Sequence, residues 1–135
     1  KCYEMDNGGF IFAQSAIATS SGMLVFTGAL ATSSPPIGQT FLSNEFAGMI
    51  AFVSRLKEAG FPATGVSVES EQDFTVSLFN GFVLRASFGA DASTLVRNLQ
   101  TVLSSDALRG EENTIEYIDL RFGNRVYYKN KAGSL

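Results

Sequence analysis

The sequence predicts an α+β fold, an antiparallel (in part mixed) β-sheet with two helices packed on one face, in a single domain spanning 1–135. Three observations predict it. Two segments repeat apolar residues at the three-to-four spacing of a helix, while several others alternate apolar and polar residues as strands do. Two Asn-Gly pairs, Asn7-Gly8 and Asn80-Gly81, sit between alternating runs, where a tight hairpin turn needs positive φ.

Cys2–Asp6 and Phe10–Ala13 read as an opening hairpin around Asp6-Asn7-Gly8-Gly9. Ser15–Gly38 is Ser/Thr-rich with Pro35-Pro36, and reads as a mobile connection carrying one short strand in Met23–Phe26. Ser43 or Asn44 can cap a first helix with Glu45 in its first turn. Phe46, Met49, Ile50, Val53 and Leu56 form its apolar stripe, and Gly60 with Pro62 ends it.

Three strands follow: one around Val66 and Val68, one with Phe74, Val76 and Leu78 on a face, and one with Phe82, Leu84, Ala86 and Phe88. The last two are joined as a hairpin at Asn80-Gly81. Asp91 or Ser93 starts a second helix whose Leu95, Val96, Leu99, Val102 and Leu103 share a side. Phe46/Ile50/Val53 and Leu95/Leu99/Val102 are expected to bury against the sheet. After a charged connector over Leu108–Asn113, Ile115–Phe122 is a strand. Ile118, Leu120 and Phe122 are expected on one of its faces, and Tyr117, Asp119 and Arg121 on the other. Gly123-Asn124 turns the chain into a last strand, Arg125–Lys131.

Composition narrows the chemistry. The chain is 135 residues long and 45% hydrophobic, with twelve Phe and four Tyr. A domain of that length hides roughly two-thirds of the surface its unfolded chain exposes, so a packed core needs no staples. Net charge is −3, which speaks against nucleic acid as the main partner. Histidine is absent, so a Ser/His/Asp or Cys/His relay and an imidazole metal site are excluded. The single cysteine, Cys2, forms no internal disulfide and has no basis for activation as a nucleophile. No apolar run approaches the ~20 residues of a spanning helix. The opening Lys1-Cys2-Tyr3 is neither a start methionine nor a signal peptide, so the chain reads as a piece of a longer protein with any anchor upstream. No cofactor is expected.

Three segments carry a resemblance to a known family. Cys2-Tyr3-Glu4-Met5-Asp6-Asn7-Gly8-Gly9-Phe10-Ile11-Phe12-Ala13, Pro36-Ile37-Gly38 before the first helix, and above all Tyr117-Ile118-Asp119-Leu120-Arg121-Phe122 resemble the C-terminal β-domain of the FtsQ/DivIB bacterial cell-division proteins. Asn80-Gly81, ahead of a strand closing in Phe88-Gly89, is similar to that family's penultimate hairpin. The likeness runs through nearly the whole chain in order. It departs at Leu24-Val25, where the family has Leu-Pro, and in the Ser/Thr-rich stretch over Thr19–Pro36.

The resemblance implies a non-catalytic scaffold of the divisome on the extracytoplasmic side of the cell membrane at the division site. In such proteins a short cytoplasmic tail, one membrane helix and a POTRA module precede this domain. They recruit the coiled-coil partners FtsB and FtsL, and the final strands pair with a strand of FtsB.

The last strand is where binding is expected. A terminal strand at a sheet edge offers unpaired N–H and C=O groups to another chain. The candidate partner-binding residues are Tyr117, Arg121, Asn124, Arg125, Val126, Tyr127, Tyr128 and Lys129, with Tyr127 and Lys129 alternating against Val126 and Tyr128. By pattern alone the same strand also reads as an ordinary edge whose lysines prevent aggregation. Asp119 and Arg121, two apart, are expected to form an ion pair, which is worth only ~0–1 kcal/mol if exposed. Arg109, Arg121, Arg125, Lys129 and Lys131 concentrate cations near the end, but Glu111, Glu112, Glu116 and Asp119 interleave them. Glu69, Glu71 and Asp73 read as a solvated turn rather than a calcium loop, lacking its further oxygen ligands and central glycine.

Two other classes fit the composition. One is a small enzyme or ligand-binding domain with a sheet–helix pocket using Ser67, Thr75, Ser77 or Arg85. The other is a structural module with no edge left open.

Overall fold

The computed structural model describes residues 3–6, 8–15, 24–28, 36–41, 45–68, 70, 72–123 and 125–131. In chain order the elements are β1 (Tyr3–Met5), β2 (Ile11–Gln14), β3 (Val25–Thr27), α1 (Phe46–Glu58), β4 (Ala63–Val68), β5 (Asp73–Leu78), β6 (Val83–Ser87), α2 (Ala92–Leu103), β7 (Ile115–Phe122) and β8 (Arg125–Asn130). A single 3₁₀ turn, Glu112–Thr114, leads into β7. The fold is α+β.

Six strands form one sheet in the order β3-β4-β5-β6-β7-β8, while β1 and β2 pair separately. The pairs β4–β5, β5–β6 and β7–β8 are antiparallel, as alternation and turns predict. The pairs β3–β4 and β6–β7 are parallel. A parallel pair needs a crossover, and α1 and α2 supply the two. Because β3 and β6 run the same way and each steps to its next neighbour in the same direction, crossovers of one hand put both helices on one face. Among the described residues no helix lies on the opposite face, called the open face below.

The opening hairpin is organised by Asp6. Its carboxylate accepts from the N–H groups of Gly8 (2.9 Å) and Phe10 (3.0 Å), and its carbonyl accepts from Gly9 N–H. Asn7, expected at the heart of this turn, lies outside the described residues, as do Cys2, Met23, Pro35, Ser43 and Asn44. Gly9 sits at φ +86°, and a β-carbon there would lie 2.8 Å from the Phe41 carbonyl oxygen. This close approach lets Phe41 N–H donate to the Gly9 carbonyl and docks the hairpin beside the Phe26, Phe41 and Phe46 ring cluster.

α1 begins behind Glu45, which occupies the cap position itself without a side-chain cap bond, and ends into Ala59 and Gly60. Its buried stripe is Phe46, Met49, Phe52 and Leu56. Ile50 and Val53, expected in the core, are only partly buried against it. Phe52 takes their place, edge-on to Phe74 of β5 with ring centroids 6.1 Å apart. α2 is capped by Asp91, whose carboxylate accepts from Thr94 N–H at 3.0 Å. It buries Leu95, Val96, Leu99 and Leu103, with Val102 at the margin.

β5 and β6 are joined through Phe79-Asn80-Gly81. Leu78 N–H donates to the Phe82 carbonyl and Gly81 N–H to the Leu78 carbonyl. The Asn-Gly pair therefore makes a three-residue loop closed by Gly81 at φ +105°, rather than a two-residue turn. Met49, Phe52, Leu56, Val76, Phe82, Leu84, Leu99, Ile115 and Ile118 fill the space between sheet and helices and are almost wholly buried. Leu108, assigned to the charged connector, is buried too. Among the described residues, no helix is long and apolar enough to cross a membrane.

Candidate functional site

Residue alternation along β7 decides what reaches each face of the sheet. Ile118 and Leu120 point into the core, while Tyr117, Asp119 and Arg121 stand on the open face. The expected Asp119–Arg121 pair is present and is bidentate. Arg121 Nε donates to Asp119 Oδ1 at 2.8 Å and Nη2 to Oδ2 at 2.7 Å, while the Arg121 backbone N–H also donates to Oδ1 at 3.1 Å.

The pair does not stand alone. Arg121 Nη1 donates to Asp73 Oδ2 at 3.2 Å, and Ser87 Oγ donates to Asp73 Oδ1 at 2.9 Å. One side-chain clasp thus spans β5, β6 and β7. Asp73 is no solvated turn residue; it opens β5 and holds this clasp, while Glu69 and Glu71 lie outside the described residues.

Asp119 is 4% exposed, and it is the one buried charged residue among those described. Burial pushes its carboxyl up, but the Arg121 hydrogen bonds and charge, with Arg85 beyond, outweigh this and hold it below its ordinary value. The Arg121 guanidinium is pushed further up, chiefly by its hydrogen bonds to Asp119 against the cost of burial, and stays charged.

Two register shifts interrupt the β7–β8 ladder, and both add a residue on β7. The first, between Ile115 and Tyr117, brings Glu116 within 3.7 Å of Lys129 across the strands. The second, between Asp119 and Phe122, overturns the expected facing of Phe122. Instead of joining Ile118 and Leu120 in the core it is 51% exposed and meets Tyr127 edge-on, with centroids 5.3 Å apart. Alternation cannot predict a bulge, so Phe122 was invisible as a surface aromatic.

β8 is the last strand of the sheet. Among the described residues its only strand neighbour is β7, so the outer N–H and C=O groups of Arg125–Asn130 face away from the sheet. Its ends are pinned: Asn98 Nδ2 donates to the Gly123 carbonyl at 3.1 Å, and Lys131 N–H donates to the Thr114 carbonyl at 2.8 Å. Val126 packs against the core, whereas Arg125, Tyr127, Tyr128, Lys129 and Asn130 are exposed. Pairing puts Tyr127 opposite Asp119 and Lys129 opposite Tyr117 on the open face, with Tyr128 opposite Ile118 on the helix side.

The candidate residues therefore divide. Arg125, Val126, Tyr127, Tyr128 and Lys129 form the edge. Tyr117 lies one strand inward with the Arg85 guanidinium 4.1 Å above its ring. Arg121 is turned into the clasp, and Asn124 lies outside the described residues.

The residues weighed for a sheet–helix pocket fall elsewhere. Thr75 and Arg85 line a depression of about 450 Å³ on the open face together with Asp73, Glu116, Tyr117 and Arg121. On the helix side a smaller hollow of about 270 Å³ lies near the start of both helices, among Glu45, Gly48, Phe88 and Leu95. Among the described residues no three acidic or sulfur side chains gather closely enough to hold a metal ion. No protein-family model matches the chain, and no curated protein matches it either.

Proposed function

We propose that this chain is a non-catalytic interaction domain that takes a partner strand by β-augmentation along β8. It would serve as a scaffold of the FtsQ/DivIB kind at the bacterial division site, outside the cell membrane. The partner is a strand from a coiled-coil protein of the FtsB/FtsL type, as the resemblance of Tyr117–Phe122 and the opening hairpin implies. The observation that carries the reading is the pinned outer strand, whose one described neighbour is β7.

Physical reasons favour this edge. A strand already held at both ends loses little further freedom when a second strand joins it, so its main-chain hydrogen bonds convert efficiently into affinity. Tyr127 and Tyr128 project to opposite faces beside those bonds, and aromatic side chains of this kind dominate interface energetics.

Titration calorimetry with the extracytoplasmic parts of the FtsB- and FtsL-type proteins of the same cell tests the reading. Tyr127→Ala and Tyr128→Lys are each expected to weaken binding by about tenfold or more. Binding that both variants leave unchanged would refute it.

A further inference from the structure

An open edge carrying Val126, Tyr127 and Tyr128 is also a template for a second copy of itself. We propose that β8 refuses that pairing: the row Arg125, Tyr127, Lys129 and Lys131 keeps two copies of this chain from joining edge to edge, which reserves the edge for a foreign strand. The inference rests on the strand-addition reading of β8 and adds a rule of partner choice to it.

Tyr127 and Lys129 share the open face with their partners Asp119 and Tyr117, and alternation puts Arg125 and Lys131 in the same row. All four are exposed. Two copies joined antiparallel about a two-fold axis continue one sheet with the helices on one side, so each row residue meets a row residue of the other copy.

Three registers overlap five or more residues of 125–131. Centred on Tyr127, Arg125 meets Lys129 twice. Centred on Tyr128, Arg125 meets Lys131 twice. Centred on Lys129, that lysine meets itself. Each therefore opposes cation to cation, which is unfavourable in a directly facing pair. Registers centred nearer either end avoid this only by shortening the overlap to three residues of that stretch or fewer. Glu116, 3.7 Å from Lys129, tempers position 129 without reversing its sign at the axis.

The test is to make self-pairing favourable. Glu116→Lys with Lys129→Glu keeps the cross-strand pair in reversed sense. In the register centred on Tyr127 it also sets Arg125 against the new carboxylate at position 129 of the other copy, twice. Sedimentation velocity is expected to find the wild-type chain monomeric into the millimolar range. The swapped chain should shift to the dimer value, with a dissociation constant about tenfold weaker in high salt than in low. Adding Arg125→Glu and Lys131→Glu to the swap opposes acid to acid in all three registers and should return it to monomer.

A wild-type chain that dimerises through β8, a swapped chain that stays monomeric, or a swapped dimer indifferent to the added Arg125→Glu and Lys131→Glu each overturns the proposal. Wild-type uptake of the FtsB/FtsL-type strand, measured on the same samples, separates the two readings. If uptake persists while the swapped chain stays monomeric, only self-refusal falls; if uptake is also lost, the open-edge reading falls with it.

Discussion

Phe122 and Tyr127 meet edge to face across the turn between β7 and β8, their rings nearly perpendicular at 88°. The contact exists because β7 carries one residue more than β8 between Asp119 and Phe122. It braces Tyr127 on the open face beside the outer backbone of β8, and an aromatic pair of this geometry is worth about 1 kcal/mol beyond its buried area. Phe122→Ala should therefore weaken partner binding several-fold by loosening Tyr127. Thermal stability should fall by no more than about 1 kcal/mol, since both rings are half exposed. Calorimetry beside a melting curve separates the two effects.

Removing Arg121 is expected to cost more than removing its partner. Arg121→Met leaves Asp119 buried and charged without its counterion, a loss of about 3 kcal/mol. Asp119→Asn keeps the shape and some hydrogen bonding and should cost about 1.5 kcal/mol. Urea unfolding of both variants checks the order. Equal or inverted losses would mean that buried Asp119 does not rely on Arg121 as its counterion.

The same clasp sets an acid limit on stability. In the unfolded chain the Asp119 carboxyl titrates near its ordinary value of 3.8, whereas in the folded chain it titrates lower. At pH above 3.8 the pair contributes fully; as pH falls through the folded value the unfolded chain binds the proton first, and the contribution is lost. The stability difference between wild type and Asp119→Asn should stay level between about pH 7 and pH 5 and shrink below about pH 4. A difference that does not shrink as pH falls below about 4 would contradict the assignment.

Val126 and Tyr128 should respond differently to substitution although both lie on the edge strand. Val126 packs against the core, so Val126→Pro disturbs folding as well as the ladder. Tyr128 is 41% exposed, and Tyr128→Lys should change the melting temperature little while reducing partner binding. Circular dichroism melts of the two variants, read beside their binding, distinguish fold loss from site loss.

Most of the element order was legible because period, caps and turns act locally. The Asp91 cap, the Asn80-Gly81 loop, the bounds of β7 and the Asp119–Arg121 pair all depend on residues a few positions apart. What sequence spacing missed depends on pairing across the sheet. The two bulges that expose Phe122 and aim Glu116 at Lys129 are properties of the β7–β8 register. Asp73 reaches Arg121 across the intervening strand β6, at a sequence separation that no local pattern encodes. On α1, the three-to-four spacing put Ile50 and Val53 in the core stripe, whereas it is Phe52 that is buried, edge-on to Phe74 of β5, a contact that depends on a partner distant in sequence.

Amide hydrogen exchange on β8, followed by NMR with and without the proposed FtsB/FtsL-type partner, reads the edge most directly. Strand N–H groups alternate sides, and those turned toward β7 are already bonded. Strand addition should therefore slow every second amide across Arg125–Asn130 while amides of α1 and α2 keep their rates. A bound partner that leaves the outer amides of β8 exchanging as before would contradict the account.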